Sequence, residues 1–165
     1  MIAADVFRDA LKDFPAGVTI VTTASADGTP VGATVSSFAS LSLDPPLVLL
    51  CLRSDSRSAA AIRERRAFCV QFLDRSQVQL ARRFATDHAD KFDHEAFSLN
   101  EVGVPCLDSC CLRLECTLES DYAGGDHVIF VGRVAASKRV GDFEPLVYAR
   151  RSFFSLGRAL SEAGK

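Results

Sequence analysis

Residues 112–119 alternate without interruption between apolar and polar side chains, and this pattern constrains the fold more than any other. The apolar positions are Leu112, Leu114, Cys116 and Leu118, and the polar ones are Arg113, Glu115, Thr117 and Glu119. Successive side chains of a β-strand point to opposite faces, so the segment predicts a strand with one buried face. Gly124 and Gly125 favour a turn, and residues 127–134 predict the returning strand. The chain therefore contains an antiparallel hairpin with an apolar face to cover.

Four more segments predict strands because they are rich in β-branched or apolar residues. They are residues 18–23, 31–38, 47–52 and 68–73. The first two flank the turn sequence of residues 26–30, which predicts a second hairpin. The continuous apolar run of residues 47–52 fits a buried strand. Residues 41–46 predict an extended or turning path, because their two prolines disfavour helix.

Short helices are predicted between these strands. Residues 4–13 indicate one helix, and residues 59–66 indicate another, with Ser54, Asp55 or Ser56 as its N-cap. Ser76 and Gln79 resemble a capping box that would open a third helix at residues 77–85. Residues 86–105 are polar and mixed, and we expect a long loop there.

The total is six or seven strands with two or three helices, and no linker or repeat interrupts them. A chain of 165 residues is the length of one ordinary domain, so residues 1–165 predict a single domain. Strands dominate and hairpins are common. The expected fold class is therefore mainly β, a β-barrel with peripheral helices.

Composition excludes several classes of function. The formal net charge of −2 gives no reason to expect nucleic acid or an anionic membrane as a partner. No apolar run approaches the length of a membrane helix, and the charged N-terminus does not resemble a signal peptide, so we expect a cytoplasmic protein. Six cysteines without a C-x-x-C pair, together with three histidines, predict neither disulfides nor a metal site. Cys116 is expected to be a buried apolar residue.

Three segments carry side chains suited to chemistry, and each allows an ordinary structural interpretation as well. Residues 33–38 end a strand with three hydroxyls. These hydroxyls could hydrogen-bond a polar heterocycle or a polyol, or they could simply face solvent. Residues 53–58 precede a helix, where backbone N–H groups and arginines suit a phosphate, or form an ordinary N-cap. His127, after Gly124 and Gly125, is a ligand contact, a base, a metal ligand or a surface residue of a turn.

Taken together and in order, these segments resemble the flavin reductase-like family with the FMN-binding split barrel. The resemblance rests on residues 14–23, 32–52, 53–58, 83–85, 91–92, 124–134 and 145–157, and so covers nearly the whole chain. It implies a homodimer that uses NADH or NADPH to reduce FMN or FAD and supplies the reduced flavin to a partner monooxygenase. A flavoprotein oxidase on the same fold and a non-catalytic flavin carrier remain alternatives.

The resemblance also implies which residues form the site. For the flavin ring, ribityl chain and phosphate it implies Thr34, Val35, Ser36, Ser37, Ser40, Cys51, Leu52, Ser54, Ser56, Arg57, Ser58, Phe84 and Ala85. For the nicotinamide nucleotide it implies Phe14, Ala16, Gly17, His127 and Phe153. Relatives often show Gly, then Arg or Lys, then Tyr where this chain has residues 151–153, so the resemblance fixes neither the C-terminal nucleotide contacts nor the choice between NADH and NADPH. No catalytic side chain and no metal are implied, because the two cofactors carry the hydride chemistry.

Overall fold

The computed structural model describes residues 2–88 and 90–157. These residues form three α-helices: α1 (Ala4–Leu11), α2 (Arg57–Arg65) and α3 (Val78–Phe84), and a 3-10 helix (Arg75–Gln77) precedes α3. The strands are β1 (Ala16–Gly17), β2 (Thr19–Ala24), β3 (Pro30–Val35), β4 (Ala39–Leu43), β5 (Pro46–Arg53), β6 (Ala67–Phe72), β7 (Phe97–Leu99), β8 (Pro105–Leu107), β9 (Leu112–Gly124), β10 (His127–Arg139), β11 (Leu146–Ala149) and β12 (Ser152–Ser155). None of the described helices is long and apolar enough to cross a membrane.

Seven strands form the main sheet, in the antiparallel order β3-β2-β6-β9-β10-β5-β4. β3 and β4 are its two edges, yet only residues 36–38 separate them in the chain. A link of this length spans at most about 14 Å. The sheet must therefore curl until its edges approach each other, which makes an open β-barrel and confirms the predicted fold class.

The hairpin of β9 and β10 is the longest pairing, and it runs from Leu112 opposite Arg139 to Gly124 opposite His127. Cys116 and Leu118 are buried, as the alternation predicts. The hairpin extends further than the alternating residues, because both strands continue through their bulges into exposed positions. His127 consequently begins β10 directly beside Arg53, the last residue of β5.

Two clusters of apolar side chains hold the barrel together, and they use opposite faces of β2. Val21 belongs to the barrel interior together with Phe68 and Phe130. Ile20 belongs to an outer cluster that includes Phe84 of α3. Ala59 and Ile62 attach α2 to the interior cluster. Both helices are thus fixed against the sheet, and the first turn of α2 and the last turn of α3 are rigidly placed.

The predicted capping box of Ser76 and Gln79 is wrong. Asp74 is the cap: its carboxylate accepts the Ser76 N–H at 2.9 Å, and its own N–H donates to Gln77 Oε1 at 2.9 Å. A carboxylate attracts backbone N–H groups more strongly than a hydroxyl does. The box therefore opens the 3-10 turn, and α3 begins without a side-chain cap.

The loop predicted for residues 86–105 is wrong in part, because these residues include β7, which pairs with β8. Residues 41–46 follow the predicted extended and turning path, as the end of β4, a turn and the start of β5. β7 is exposed along its whole length. A strand without a buried face needs no alternation of apolar and polar residues, so its sequence showed no sign of a strand. The strand predicted for residues 31–38 ends at Val35, because Phe38 turns inward to meet Phe72 at 5.3 Å between ring centroids.

Candidate functional site

A cavity of about 390 Å³ opens where β3, β5 and β10 meet the start of α2 and the end of α3. This volume lies within the range of sites for small molecules and cofactors. Twelve of the residues expected for flavin or nicotinamide line it: Thr34, Val35, Ser36, Ser37, Cys51, Leu52, Ser56, Arg57, Ser58, Phe84, Ala85 and His127. Residues far apart in sequence therefore meet around one cavity.

The hydroxyls at the end of β3 have different environments. Thr34 Oγ1 donates to Ala81 O of α3 at 2.6 Å, so this hydroxyl ties α3 to the sheet. Ser37 Oγ donates to Cys51 O at 2.9 Å and accepts from Cys51 N–H at 3.1 Å, which fastens the segment after β3 to β5. The Ser36 hydroxyl is exposed and has no hydrogen-bond partner among the described residues. Ser36 is thus the hydroxyl best placed to bind a ligand.

The turn between β5 and α2 presents a cation at the start of a helix. Ser56 is the N-cap and accepts the Ala59 N–H at 3.2 Å. Asp55, which would oppose an anion, is paired with Arg53 at 2.7 Å, and this guanidinium holds the pKa of Asp55 below its ordinary value. Arg57 takes part in none of the ion pairs found in the described ranges. Helix N–H groups and an arginine without a carboxylate partner favour a phosphate here.

The end of α3 forms the opposite wall of the cavity. Phe84 is buried and packs over Gly32 of β3, where an added β carbon would lie 2.8 Å from Phe84 Cε1. Only glycine lets the ring approach the strand so closely. Lys91 follows α3 and also lines the cavity, with its Nζ bonded to Gly32 O at 3.1 Å and Phe84 O at 3.3 Å.

His127 lies at the cavity rim, on the turn that joins β9 to β10. Its Nδ1 lies 2.8 Å from Asp126 Oδ1, and this hydrogen bond holds the pKa of Asp126 below its ordinary value. Ser54 fixes the turn from the other side, since its N–H and its hydroxyl both donate to Asp126 O, at 3.0 and 3.1 Å. The imidazole is therefore anchored through Nδ1, which leaves Nε2 to contact a ligand.

A second cavity, of about 440 Å³, adjoins the first and shares Thr34, Ser36 and Ala85 with it. Phe153 forms its aromatic wall, with Arg82 Cζ 5.9 Å from the ring centroid and the Tyr148 ring 5.2 Å away. Its remaining lining residues are Val18 and Arg151. An aromatic surface flanked by guanidinium groups suits a flat heterocycle that carries phosphates.

Comparison with known proteins decides the family. Residues 11–157 match the family described as flavin reductase like domain. The chain belongs to that family. It is 41% identical over 147 residues to the reductase subunit of a flavin-dependent monooxygenase from Rhodococcus jostii, covering 89% of this chain and 75% of that one.

Two further relatives carry names that mention cofactors. An FMN reductase (NADH) from Agrobacterium fabrum is 40% identical over 153 residues, covering 92% of this chain and 86% of the relative. The structure of an NADH:FAD oxidoreductase from Streptomyces globisporus in complex with NAD and FAD fragments superimposes with a TM-score of 0.85 at 35% identity, covering 98% of this chain and 96% of that one. The flavin reductase fold thus extends over nearly the whole chain.

Five residues that the family resemblance singled out line neither cavity. Ser54 supports the His127 turn instead, and Ser40 is an exposed residue of β4. Ala16 and Gly17 form β1, which pairs with β11, and Phe14 is 72% exposed. A contact between these three residues and a nucleotide stays a prediction.

The structure also brings in residues to which the sequence analysis assigned no role in the site. Lys91 and His88 line the first cavity, and Arg82, Tyr148 and Arg151 line the second. The first pair lies in the segment expected to be a loop, and the others reach the site through packing of α3 and of the β11–β12 hairpin. No three histidine, cysteine, aspartate or glutamate side chains converge on a metal position in the described part of the chain.

Proposed function

We propose that this flavin reductase is the reductase component of a two-component monooxygenase, with the first cavity for flavin and the second for the nicotinamide nucleotide. The protein is an enzyme that takes NADH or NADPH and reduces FMN or FAD. The observation that carries the assignment of the two cavities is their shared wall of Thr34, Ser36 and Ala85. The two cavities adjoin at these residues, so a flat ring in one cavity would lie in contact with a flat ring in the other.

The residues of the first cavity fit a flavin nucleotide. Ser36 offers an exposed hydroxyl to the polar edge of the ring, and Cys51 borders the same space on β5. Arg57 and the first turn of α2 suit the phosphate. The ring, ribityl chain and first phosphate are common to FMN and FAD, so the proposed contacts serve both.

The residues of the second cavity fit a nicotinamide nucleotide. Phe153 offers a stacking surface, and Arg82, held over its ring, offers positive charge to the nucleotide phosphates. His127 lies at the rim of the first cavity, where Asp126 orients its imidazole, and we propose that it contacts the nucleotide from there. These three side chains bind and orient the nucleotide.

The flavin and nicotinamide supply the hydride chemistry themselves. The protein contributes position: the lining residues common to both cavities would hold the two rings against each other, and the buried core beneath them would keep that arrangement fixed. Backbone N–H groups near Ser36 and Ser37 would favour negative charge on a reduced ring. No side chain has to transfer a proton in this scheme.

We also propose that the protein is a homodimer located in the cytoplasm. α1 buries none of its residues and exposes Val6, Phe7 and Leu11, while Leu43 of β4 is 94% exposed. Apolar surface of this kind supports a homodimer. All six cysteines are free thiols, which supports a cytoplasmic location, where thiols stay reduced.

The function is tested by following oxidation of NADH and of NADPH with no flavin, riboflavin, FMN or FAD added. Nucleotide oxidation that rises with flavin concentration and saturates is expected. A carrier protein would bind flavin but leave the nucleotide at the background rate. An oxidase would consume oxygen with a substrate other than the nucleotide, and either result would refute the proposal.

A further inference from the structure

Two consecutive arginines form the tight turn between β11 and β12. Ala149 pairs with Ser152, so Arg150 and Arg151 are the two residues of the loop, and both have positive φ, 49° and 59°. A two-residue hairpin loop with positive φ at both positions favours asparagine and glycine. The β carbon of any other residue makes this backbone conformation costly. Two arginines at these positions therefore indicate a use beyond the turn itself.

The two arginines are used differently. Arg150 anchors the segment after α1, because its Nε donates to Asp13 Oδ1 at 2.7 Å and its N–H donates to Lys12 O. Arg151 takes part in none of the ion pairs found among the described residues. Arg151 lines the second cavity, whereas Arg150 does not. The turn thus places a guanidinium at the nucleotide cavity without pairing it to a described carboxylate.

Arg151 lies at the end of the second cavity that is farther from the flavin. The other end is the wall of Thr34, Ser36 and Ala85, which the second cavity shares with the first. Arg151 also lines a surface depression against α1, and this depression shares no residue with the first cavity. A nicotinamide ring in contact with the flavin at the shared wall would therefore direct the adenosine half of its nucleotide toward Arg151.

The charges at this end of the cavity suit an anion. NADPH differs from NADH by a phosphate on the 2′ oxygen of the adenosine ribose. In Rossmann domains a carboxylate binds the free 2′ hydroxyl of NADH, and an arginine accommodates the 2′-phosphate of NADPH. The charged residues that line the second cavity within the described ranges are Arg82 and Arg151, and both are cations.

The carboxylates nearest to Arg151 lie on α1. Asp5 and Asp9 line the surface depression but not the second cavity. Asp9 accepts a hydrogen bond from Lys12 Nζ at 2.5 Å. Lys12 chiefly holds the pKa of Asp9 below its ordinary value, and Arg151 adds to this effect without forming an ion pair. Asp9 therefore has its own cation, and Arg151 is left for a ligand.

We infer that Arg151 is a specificity-determining residue whose guanidinium binds the 2′-phosphate of NADPH, so that this enzyme prefers NADPH to NADH. The inference rests on the proposed function, because it takes the second cavity as the nucleotide site. Arg82, held over the Phe153 ring, is left for the pyrophosphate, which NADH and NADPH share. A phosphate monoester carries about 1.5–2 negative charges at pH 7, and a planar guanidinium binds it through two parallel hydrogen bonds.

The alternative role for Arg151 is structural, as a charge that attracts Asp9 and so holds α1 beside the β11–β12 turn. The two nucleotides separate these roles, because they differ only in the 2′-phosphate. Loss of a structural charge would lower the unfolding temperature and leave the preference between the nucleotides unchanged. Loss of a phosphate contact would weaken NADPH alone.

The experiment measures the dissociation constants of NADP+ and NAD+ by calorimetry at saturating FMN, and then kcat/KM for NADPH and NADH. The variants are Arg151→Gly and Arg151→Asn, because both residues suit a positive φ and so keep the turn while removing the charge. Arg150→Gly is the matched control, since it makes the same change at the neighbouring turn position, whose charge is paired with Asp13. Thermal unfolding of each variant reports folding.

We expect wild type to bind NADP+ roughly tenfold to a hundredfold more tightly than NAD+, as for a hydrogen bond between charged groups. Arg151→Gly should lose most of this preference by weakening NADP+ alone, and Arg150→Gly should keep it. The unfolding temperature of Arg151→Gly should not fall, because glycine suits the turn.

A wild-type protein that prefers NAD+ overturns the inference. Equal weakening of both nucleotides by Arg151→Gly also overturns it, because the contact would then involve a group that they share. An unchanged preference in Arg151→Gly with a lower unfolding temperature establishes the structural role instead. A wild-type protein that binds NADP+ with the expected preference but never oxidises NADPH or NADH in the presence of FMN would refute the proposed function and leave the role of Arg151 in binding intact.

Discussion

Arg57→Ala should reduce affinity for flavins that carry a phosphate and leave riboflavin almost unaffected. Arg57 lies in the first turn of α2, at the cavity, and its guanidinium has no carboxylate partner within the described ranges. Asp55 does not neutralise it, since Asp55 is paired with Arg53. The charge of Arg57 is therefore available to a ligand and contributes little to the fold.

A hydrogen bond between charged groups contributes about 1.5–3 kcal/mol, which corresponds to roughly a tenfold to hundredfold loss of affinity for FMN. The stability of the fold should change little, because Arg57 is exposed while Ala59 and Ile62 hold the helix to the core. Alanine also has a high helix propensity, so α2 itself is retained.

The assay is titration of the protein with FMN and with riboflavin, followed by quenching of flavin fluorescence. Arg75→Ala is a suitable control, since Arg75 pairs with Glu144 on an exposed surface outside both cavities. Equal losses of FMN and riboflavin affinity would show that Arg57 acts through folding. Unchanged FMN affinity would mean that the flavin phosphate binds away from Arg57.

Three further results are expected. His127→Ala should raise KM for the nucleotide more than it lowers kcat, measured with saturating flavin, because a lost contact common to substrate and transition state affects KM; a fall in kcat alone would make His127 a chemical participant. Gly32→Ala should lower the free energy of unfolding by about 1–3 kcal/mol in a denaturant titration, because a methyl group would displace Phe84; wild-type stability would contradict the packing. Affinity for FMN should fall as pH rises through the lowered pKa of Lys91, since the ammonium loses its charge, and a parallel fall for riboflavin would contradict this reason.

The parts of the fold that were predictable are those whose signal is local. The β9–β10 hairpin follows from alternation, because burial of one face imposes a period of two on the sequence. The turn at Arg53–Ser58 is also predictable, because the N-cap serine and the helix that it caps are neighbours in the sequence. That residues 1–165 form one domain remains a proposal.

The parts that were missed depend on packing between distant segments. Lys91 comes from a segment without periodicity, and only the folded chain shows that its ammonium reaches carbonyls of β3 and α3. Tyr148 and Arg151 enter the second cavity because β11 pairs with both β1 and β12. The role of Thr34 also changed, since its hydroxyl is used by α3. Sequence alone indicates candidate donors, and the fold decides which of them are available.

We propose that this protein moves a hydride from a nicotinamide nucleotide to a flavin bound beside Thr34, Ser36 and Ala85. To test this, the protein is mixed with oxidised FMN or FAD and with NADH or NADPH in the absence of oxygen, and flavin absorbance is followed. The flavin absorbance should fall at a rate that increases with protein concentration, and one nucleotide should be consumed for each flavin reduced. Flavin that stays oxidised in the presence of excess nucleotide and folded protein would refute hydride transfer by this protein.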